Sequence, residues 1–462
     1  MPKPDLMEKV ASLAKRRGFI FPDSEIYGGF ANTWDYGPLG VELKNNLKRA
    51  WWKHFVTNRD DMVGVDSAII MNPNVWRASG HLENFTDPLV ECKSCHKRFR
   101  ADHLLEAASA QPRHEKEPPV DPKSIRCPEC SGELTDTRNF NLMFKTFVGA
   151  IENEGAEAYL RPELAAGMFT NFKNVQQAMR AKLPFGIAQA GRAFRNEITT
   201  GNFIFRTREF EIMELEYFVN PKEWEKIFEM WLTEIKRWWR DIMCVPDDHL
   251  FFHEIPEDDR AHYSKRTVDI EYHYPFGLKE LHGIAYRTDF DLARHEKESG
   301  HDLHYTDLET NEKFIPHVVE PTFGVDRMVL VALLEAYTEV EPRSGSDETK
   351  EKHEKEIVMH FPKWLAPVKA AVLPLSRKEP LASVAGDIAV TLRKQFVVQY
   401  DETGSIGKRY RRQDEIGTPF CITVDFDSIE DKKVTVRDRD TMAQERVAVA
   451  DLPNYLSEKL QS

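Results

Sequence analysis

GRAFRNEITTGNFIFRTREFEIMELE, residues 191–216, decides the fold. It predicts a strand, a polar turn at TTGN and a returning strand. Arg195 and Glu197 stand two apart, so on an extended chain their side chains leave by one face. Arg206 and Arg208 repeat that spacing after the turn, and the alternating run from Phe210 to Phe218 is laced with Glu209, Glu211, Glu214 and Glu216. A guanidinium can grip a phosphate through two hydrogen bonds, a carboxylate can accept from an exocyclic amine, and an aromatic ring can stack on a purine. The same residues could equally form surface salt bridges on an antiparallel hairpin, the commoner use of such pairs. A second, distant stretch favours the binding reading.

That stretch is EPTFGVDRMVLVALLEAY, residues 320–337. Gly324 and Arg327 open an apolar helix with Val325, Met328, Val329, Leu330 and Leu333 at helical spacing. The helix macrodipole does not favour an arginine in the first turn, but the same helix start attracts anions, so Arg327 is placed to meet a bound phosphate. A third element precedes both. DYGPLGVELKNNLKRAWWKHFV, 35–56, predicts a helix through Leu39, Leu43, Leu47, Trp51 and Phe55, followed by a strand from Val63 to Met71 that ends at Pro73.

In this order the three elements resemble the signature motifs of class II aminoacyl-tRNA synthetases. The wording YGPLG, RASGH, FRNE, FRTREFEIMELE and EPTFGVDR is similar to the homodimeric glycyl-tRNA synthetases of subclass IIa, over nearly the whole chain. The chain departs from the family at RPELAAG, 161–167, where RPETAQG is common, and at Thr322, where serine is frequent; Glu163 and a hydroxyl are kept.

The resemblance implies an α+β protein. An antiparallel-sheet catalytic core would occupy 1–340 with an insertion near 85–138, then a linker, 341–362, and an α/β anticodon-binding domain, 363–462. It implies ATP-dependent attachment of glycine to tRNA(Gly) through a glycyl-adenylate. Arg195 and Arg327 would be the catalytic pair, Arg195 on the α-phosphate and the attacking carboxylate, and Arg327 with Arg206 on the distal phosphates. Glu197 would accept from the adenine amine and Phe210 would stack on the ring. The rest of the ATP site would comprise Asn196, Phe205, Thr207, Arg208 and Glu209, with Leu281, Gly324, Val325 and Asp326 from later segments. Glu280, in KELHGIAYR, resembles the carboxylate that positions magnesium, although it would also suit an exposed helix surface. Glycine's ammonium would meet Glu163, Glu214 and Glu320, with Thr322 closing the pocket. Phe210, Glu211, Ile212 and Met213 on one strand, and Pro321, Phe323 and Gly324 on another, would complete it. Arg100, in FRADH, resembles a further substrate-site residue and could instead form a purely structural pair.

Six cysteines are too few for a disulfide scaffold, and four are arranged: Cys92-Lys-Ser-Cys95 and Cys127-Pro-Glu-Cys130. Paired C-x-x-C knuckles let four sulfurs close a tetrahedron around zinc, with no open position, so the site reads as structural. A redox dithiol needs only one pair. The proline-rich stretch between them reads as a flexible excursion. His96, His103 and His114 are expected on the surface rather than at the metal.

The net charge of −13 over 462 residues excludes a protein coated in positive charge for non-specific nucleic-acid binding. A tRNA partner then requires local basic clusters, for which IGKRYRRQDE, 406–415, is a candidate, with a solvated helix face as the alternative. The charged start MPKPDLMEKVASLAKRRGF contains no apolar run suited to a signal peptide, and no run approaches a membrane span, so a cytoplasmic protein without membrane contact is expected. The aromatic stripe Trp224, Phe228, Trp231, Ile235, Trp238 and Ile242 reads as core. EPRSGSDETKEKHEKE, 341–356, reads as linker, and KAAVLPL, VVQYDE, PFCITVD and KVTVRDRD as strands of a small α/β domain of about a hundred residues. No glycine-rich phosphate loop is present, so ATP binding would rest on arginines. A class II enzyme for another amino acid, an adenylate-forming amide ligase and an inactive tRNA-binding relative remain as alternatives.

Overall fold

The computed structural model describes residues 5–109, 124–150, 152, 154–198, 200–261, 263–341 and 355–460. His114 with most of the proline-rich excursion, Thr199 of the TTGN turn and the centre of the expected linker, 342–354, lie outside them.

The larger body is built on a seven-stranded sheet. Its spatial order is Leu250–Glu254, Arg266–Tyr274, Gly277–Thr288, His317–Gly324, Glu209–Val219, Phe185–Phe194 and Met62–Gly64. Neighbours are antiparallel except the last pair, which is parallel. The hairpin expected at 191–216 supplies the fifth and sixth strands of that order, registered from Glu209 opposite Phe194 to Phe218 opposite Phe185. Arg195 and Glu197 lie just past the end of the first strand rather than on it, although the Arg195 amide still donates to the Arg208 carbonyl at 2.8 Å.

Strand alternation sorts the hairpin between two apolar layers. Met213, Leu215 and Tyr217 point to the face covered by Pro38–Trp52, Trp224–Arg237 and Val325–Ala336, where they join Trp51, Phe55, Trp231 and Phe323. Ile212 and Phe218 point to the other face and pack with Leu164, Phe169, Phe172 and Leu292. Glu214 and Glu216 share that second face, so two carboxyls are inserted into a hydrophobic layer. The aromatic stripe of Trp224–Arg237 is core as expected, with Phe228, Trp231, Ile235 and Trp238 fully buried. A π-helical turn at Trp238–Ile242 shifts the facing by one residue and brings Trp239 inward as well.

The strand expected from Val63 to Met71 is only Met62–Gly64. Beyond it the Ser67 carbonyl accepts from Arg161 Nη1 at 2.7 Å, and a Cβ on Gly167 would stand 2.1 Å from Ser67 Oγ, so the chain leaves the sheet edge to pack there. Pro73 opens a short helix, Pro73–Ala78, capped by Asn72.

The C-terminal body has a five-stranded sheet in the order Val398–Tyr400, Ala370–Pro374, Phe420–Val424, Lys433–Asp438 and Gln444–Ala448, with its own apolar core. The described end of the expected linker is not free chain. Glu356–Met359 pairs antiparallel with Tyr337–Val340, and Phe361, Leu365 and Ala366 belong to the larger body's core. The basic run 406–415 forms the helix Ile406–Ile416, but its arginines are engaged internally. Arg409 is buried against the Pro374 carbonyl, Arg411 pairs with Glu356, and Arg412 with Asp401. The run is therefore a solvated face only in part, at Lys408 and Arg411. No described helix is long and apolar enough to cross a membrane.

Candidate active site

A cavity of about 190 Å³ opens where the 191–216 hairpin meets the start of Val325–Ala336. Arg195, Glu197, Phe205, Arg206, Thr207 and Phe210 line it from the hairpin and its loop; Glu280, Leu281, Gly324, Asp326 and Arg327 come from the neighbouring strands and helix start. The Arg195 guanidinium lies between the rings of Phe85 and Phe210, 5.4 Å from each centroid, and its Nε donates to the Pro162 carbonyl. Arg206 reaches Glu197 at 3.3 Å, and a buried Glu197 oxygen has no hydrogen bond of good geometry among the described residues. Arg327 stacks over Phe205 and donates to the Glu280 carbonyl at 2.9 Å, with the Glu280 carboxylate 3.3 Å away.

Glu280 is on the strand Gly277–Thr288, not on a helix surface, and it is exposed. Arg327 holds its carboxyl below the usual range. Asp269, on the adjacent strand, is pushed up to about 7 by burial and then by Glu280 and Glu271. Asp269 and Glu271 thus stand on the strand beside exposed Glu280, oxygen donors of the type a hard divalent cation takes.

Deeper along the same face stand the acids expected around glycine. Thr322 is paired with Glu214 on one side and with Gly283 on the other. Glu214 is buried and accepts from the Leu164 amide at 2.8 Å. Burial, with Glu320 and Glu163 nearby, pushes its carboxyl up to about 8. Glu320 accepts at both oxygens from Arg287 Nη1, at 3.0 and 2.9 Å, and burial nevertheless raises it. Burial would raise Glu163 too, but His81 at 3.3 Å, with Arg287 and Arg195 beyond it, holds it down at about 2.

Several expected site residues send their side chains to other partners, although Glu211, Ile212 and Asp326 also line the cavity. The side chains of Glu211, Met213 and Phe323 leave by the opposite face, Glu211 to Lys44 and Lys48, Met213 and Phe323 into the core. Pro321 alternates with Glu320 and Thr322 on its strand, and Ile212 lies in the apolar layer behind the acids. Asp326 accepts from the Glu211 amide at 2.7 Å and from Tyr36, so it fastens the helix start to the hairpin. Val325 is core. Arg208 donates to the Ala31 carbonyl, Glu209 pairs with Arg192, and Asn196 donates its amide to the Leu142 carbonyl. Arg100 is held by Asp87 at 3.1 Å and Asp102 at 2.5 Å, close enough to Glu197 to feel its charge, and away from the buried acids.

Sequence reasoning missed Arg287 and His81. Arg287 alternates with Ile284 and Tyr286, which join the core face, and so points to the side of Asp291 and Glu320. Its one sequence signal is the i, i+4 spacing of Arg287 and Asp291. His81 stands in the RASGH wording but carried no role.

The four knuckle sulfurs meet as expected. Cys92 and Cys130 are 3.5 Å apart, Cys95 and Cys127 are 3.6 Å apart, and all four lie within 4.8 Å of one another. Four sulfurs bonded to zinc at 2.3 Å would be about 3.8 Å apart, so the spacing fits. The Cys95 amide points at Cys92 Sγ, and a Cβ on Gly132 would stand 2.9 Å from that sulfur.

Comparison with known proteins agrees with this geometry. A family model described as the tRNA synthetase class II core domain (G, H, P, S and T) matches residues 144–337, and an anticodon binding domain matches 369–459. A prolyl-tRNA synthetase structure from Cryptosporidium parvum shares the fold, with a TM-score of 0.62 at 14% identity over 98% of this chain and 77% of that one. The glycine–tRNA ligase of Thermobifida fusca is 54% identical over 99% of both chains. That of Geobacillus kaustophilus is 55% identical over 98% of this chain and 99% of its own. At such identity over essentially the whole length, the chain belongs to the glycine–tRNA ligase family of class II aminoacyl-tRNA synthetases.

Proposed function

We infer that the chain attaches glycine to tRNA(Gly) at the expense of ATP, the reaction for which its curated relatives are named. The observation that carries this is one continuous face on which an arginine-lined cavity adjoins a buried nest of carboxyls. Anionic phosphates suit the first and a small ammonium suits the second. In the first step the glycine carboxylate attacks the α-phosphate of ATP, forming glycyl-adenylate and releasing pyrophosphate. Arg195 is placed to neutralise both reacting anions, while Arg206 and Arg327 meet the distal phosphates. Glu197 accepts from the adenine amine and Phe210 stacks on the ring. In the second step a terminal ribose hydroxyl of the tRNA attacks the adenylate carbonyl, releasing AMP, whose phosphate can accept the proton.

Magnesium would be held at Glu280, with Asp269 and Glu271 on the adjacent strand, and would offset phosphate charge. Zinc fits the four knuckle thiolates as a structural ion. Residues 369–459 would read the anticodon, and the body up to residue 368 would carry the chemistry. A homodimer of the kind found in this subclass would use Pro38–Trp52 and the edge strand Met62–Gly64. A shallow apolar groove lined by Trp52, Val56, Met62, Val63 and Met179 lies there, and a single-chain mass by light scattering would count against the dimer. ATP and tRNA as substrates favour the cytoplasm.

The test is amino-acid-dependent exchange of pyrophosphate into ATP across all twenty amino acids. Glycine alone should support it. Efficient exchange with alanine, or with proline, threonine or serine in place of glycine, overturns the assignment.

A further inference from the structure

Behind the arginine-lined cavity lies a second one, of about 600 Å³, walled by the strand Trp34–Tyr36 and the helix Pro38–Trp52. Phe210, Glu211 and Asp326 line both and so form the partition between them. Lys44, on that helix, reaches both acids of the partition. Its ammonium is 2.8 Å from Glu211 and 3.4 Å from Asp326, and it stands 4.0 Å from the centre of the Tyr36 ring. Its side chain is 12% exposed, so these pairs are screened much less than surface pairs.

Each acid is also fastened to something else. Asp326 accepts from the Glu211 amide at 2.7 Å and from the Tyr36 hydroxyl, which burial and then Asp326 push well above its usual range, so that it stays a donor. Glu211 meets Lys48 at 2.6 Å as well. Burial alone would raise the Glu211 carboxyl, but the two lysines hold it below the usual range. Two carboxyl groups this close in a shielded place need a cation between them, and Lys44 is the one that touches both.

Position in the chain makes this matter. Glu211 follows Phe210 and Asp326 precedes Arg327, so each acid is one residue from a group lining the arginine-lined cavity. On the hairpin strand Phe210 and Glu211 leave by opposite faces. At the helix start Asp326 turns to Lys44 while Arg327 turns to Phe205 and Glu280. Moving either acid moves the backbone that carries its neighbour.

We propose that Lys44 is a positioning residue for ATP: by clamping Glu211 and Asp326 to the helix Pro38–Trp52, it fixes the backbone from which Phe210 and Arg327 reach the nucleotide. Lys44 itself touches no substrate. The proposal rests on the reading of the arginine-lined cavity as the ATP site.

Pyrophosphate exchange by the full-length enzyme, at varied ATP and at varied glycine, separates the two substrates. Lys44→Met keeps the length of the side chain without its charge. It should raise the ATP KM about tenfold or more and leave the glycine KM within about twofold, since a small displacement of binding groups is felt by the ligand they hold. Lys44→Arg should bring the ATP KM back to within a few-fold of the parent. Lys48→Met removes a cation of the same helix that is more exposed and pairs with Glu211 alone among the described residues; it should change the ATP KM by no more than about twofold. If Lys44→Met melts too low to assay, Lys44→Gln takes its place with the same direction expected. A parental ATP KM in the neutral variant overturns the proposal, as does one in Lys44→Arg no better than in the neutral variant. Equal rises in the ATP and glycine KM values, or an equal loss from Lys48→Met, also overturn it, because they mark a general loosening of the helix. A parent that shows no glycine-dependent exchange into ATP instead removes the functional reading on which the proposal stands.

Discussion

A carboxyl that stays neutral when buried holds a proton that the unfolded chain has already released. Glu214 is such a group, pushed up to about 8 from an ordinary value of 4.5 by burial and its acidic neighbours. Between those values the folded state binds more protons than the unfolded one, so this group makes stability fall as pH rises through that window. Above it the full cost is present. Glu214→Gln removes the slope while keeping an acceptor for the Leu164 amide. Without glycine, the Tm difference in favour of the variant should grow from about pH 5 to about pH 8 and then level off. A pH-independent difference in thermal melts would show that Glu214 is ionised in the empty site. With substrate present the sign reverses. Loss of one charge-assisted hydrogen bond, worth roughly 1.5–3 kcal/mol, should slow glycine activation by about one to two decades and leave the ATP KM little changed. Glu214 could be named from the sequence because the hairpin wording is so specific. Strand alternation could also have separated Glu211 and Met213 from it, since odd and even positions face opposite ways. Arg287 alternates in the same way with the core residues Ile284 and Tyr286, but that its other face meets the acids depends on pairing with His317–Gly324, which one strand's sequence does not carry.

At the scale of an element, the knuckle pair was legible because C-x-x-C fixes its own geometry. Gly132 gives that geometry a test beyond the cysteines themselves. A methyl there would meet Ser94 Oγ at 2.7 Å and Cys92 Sγ at 2.9 Å, so Gly132→Ala must shift the loop that aims the sulfurs. Both Gly132→Ala and Cys92→Ser should lower bound zinc by elemental analysis, and Cys92→Ser should lower it further, since a ligand itself is gone. Because a structural metal contributes folding free energy directly, protease cleavage near 90–130 should quicken in the same order. Zinc-free parent protein, purified without chelator, would end the assignment. The strand after Pro38–Trp52 was overestimated for the opposite reason. The apolar run from Val63 to Met71 looks like a strand locally, and the contacts of Ser67 with Arg161 and Gly167 that end it come from a segment about a hundred residues away.

Across the whole molecule, composition placed the boundary between the two bodies in the charged run before residue 362, while packing carries the larger body further. Glu356–Met359 completes a ribbon with Tyr337–Val340, and Phe361, Leu365 and Ala366 sit in the main core. Asn46, on Pro38–Trp52, donates to the Leu365 and Ala366 carbonyls at 3.1 and 3.0 Å. A chain cut near 350 would therefore lose a strand and an apolar plug along with the C-terminal body, and its failure would say nothing about division of labour. A chain ending after residue 368 keeps both. It gives up the ion pairs of Arg16 and Arg17 with Glu415, of Glu356 with Arg411, of His360 with Asp440 and of Lys363 with Asp438, partly exposed pairs each expected to be worth little, and the Arg439 donation to the Phe361 carbonyl. Such a chain should fold and catalyse glycine-dependent exchange of pyrophosphate into ATP within a few-fold of the parent, because all the arginines and acids of the site lie before the cut. Its charging of tRNA(Gly) should fall much further, with the loss in tRNA KM rather than in adenylate formation. Within the run 406–415, Arg409 is buried, while Lys408 and Arg411 stay exposed and are the basic side chains of that helix that could meet the tRNA. If the shortened chain, folded by circular dichroism, charges tRNA as well as the parent, the C-terminal body does not read the anticodon.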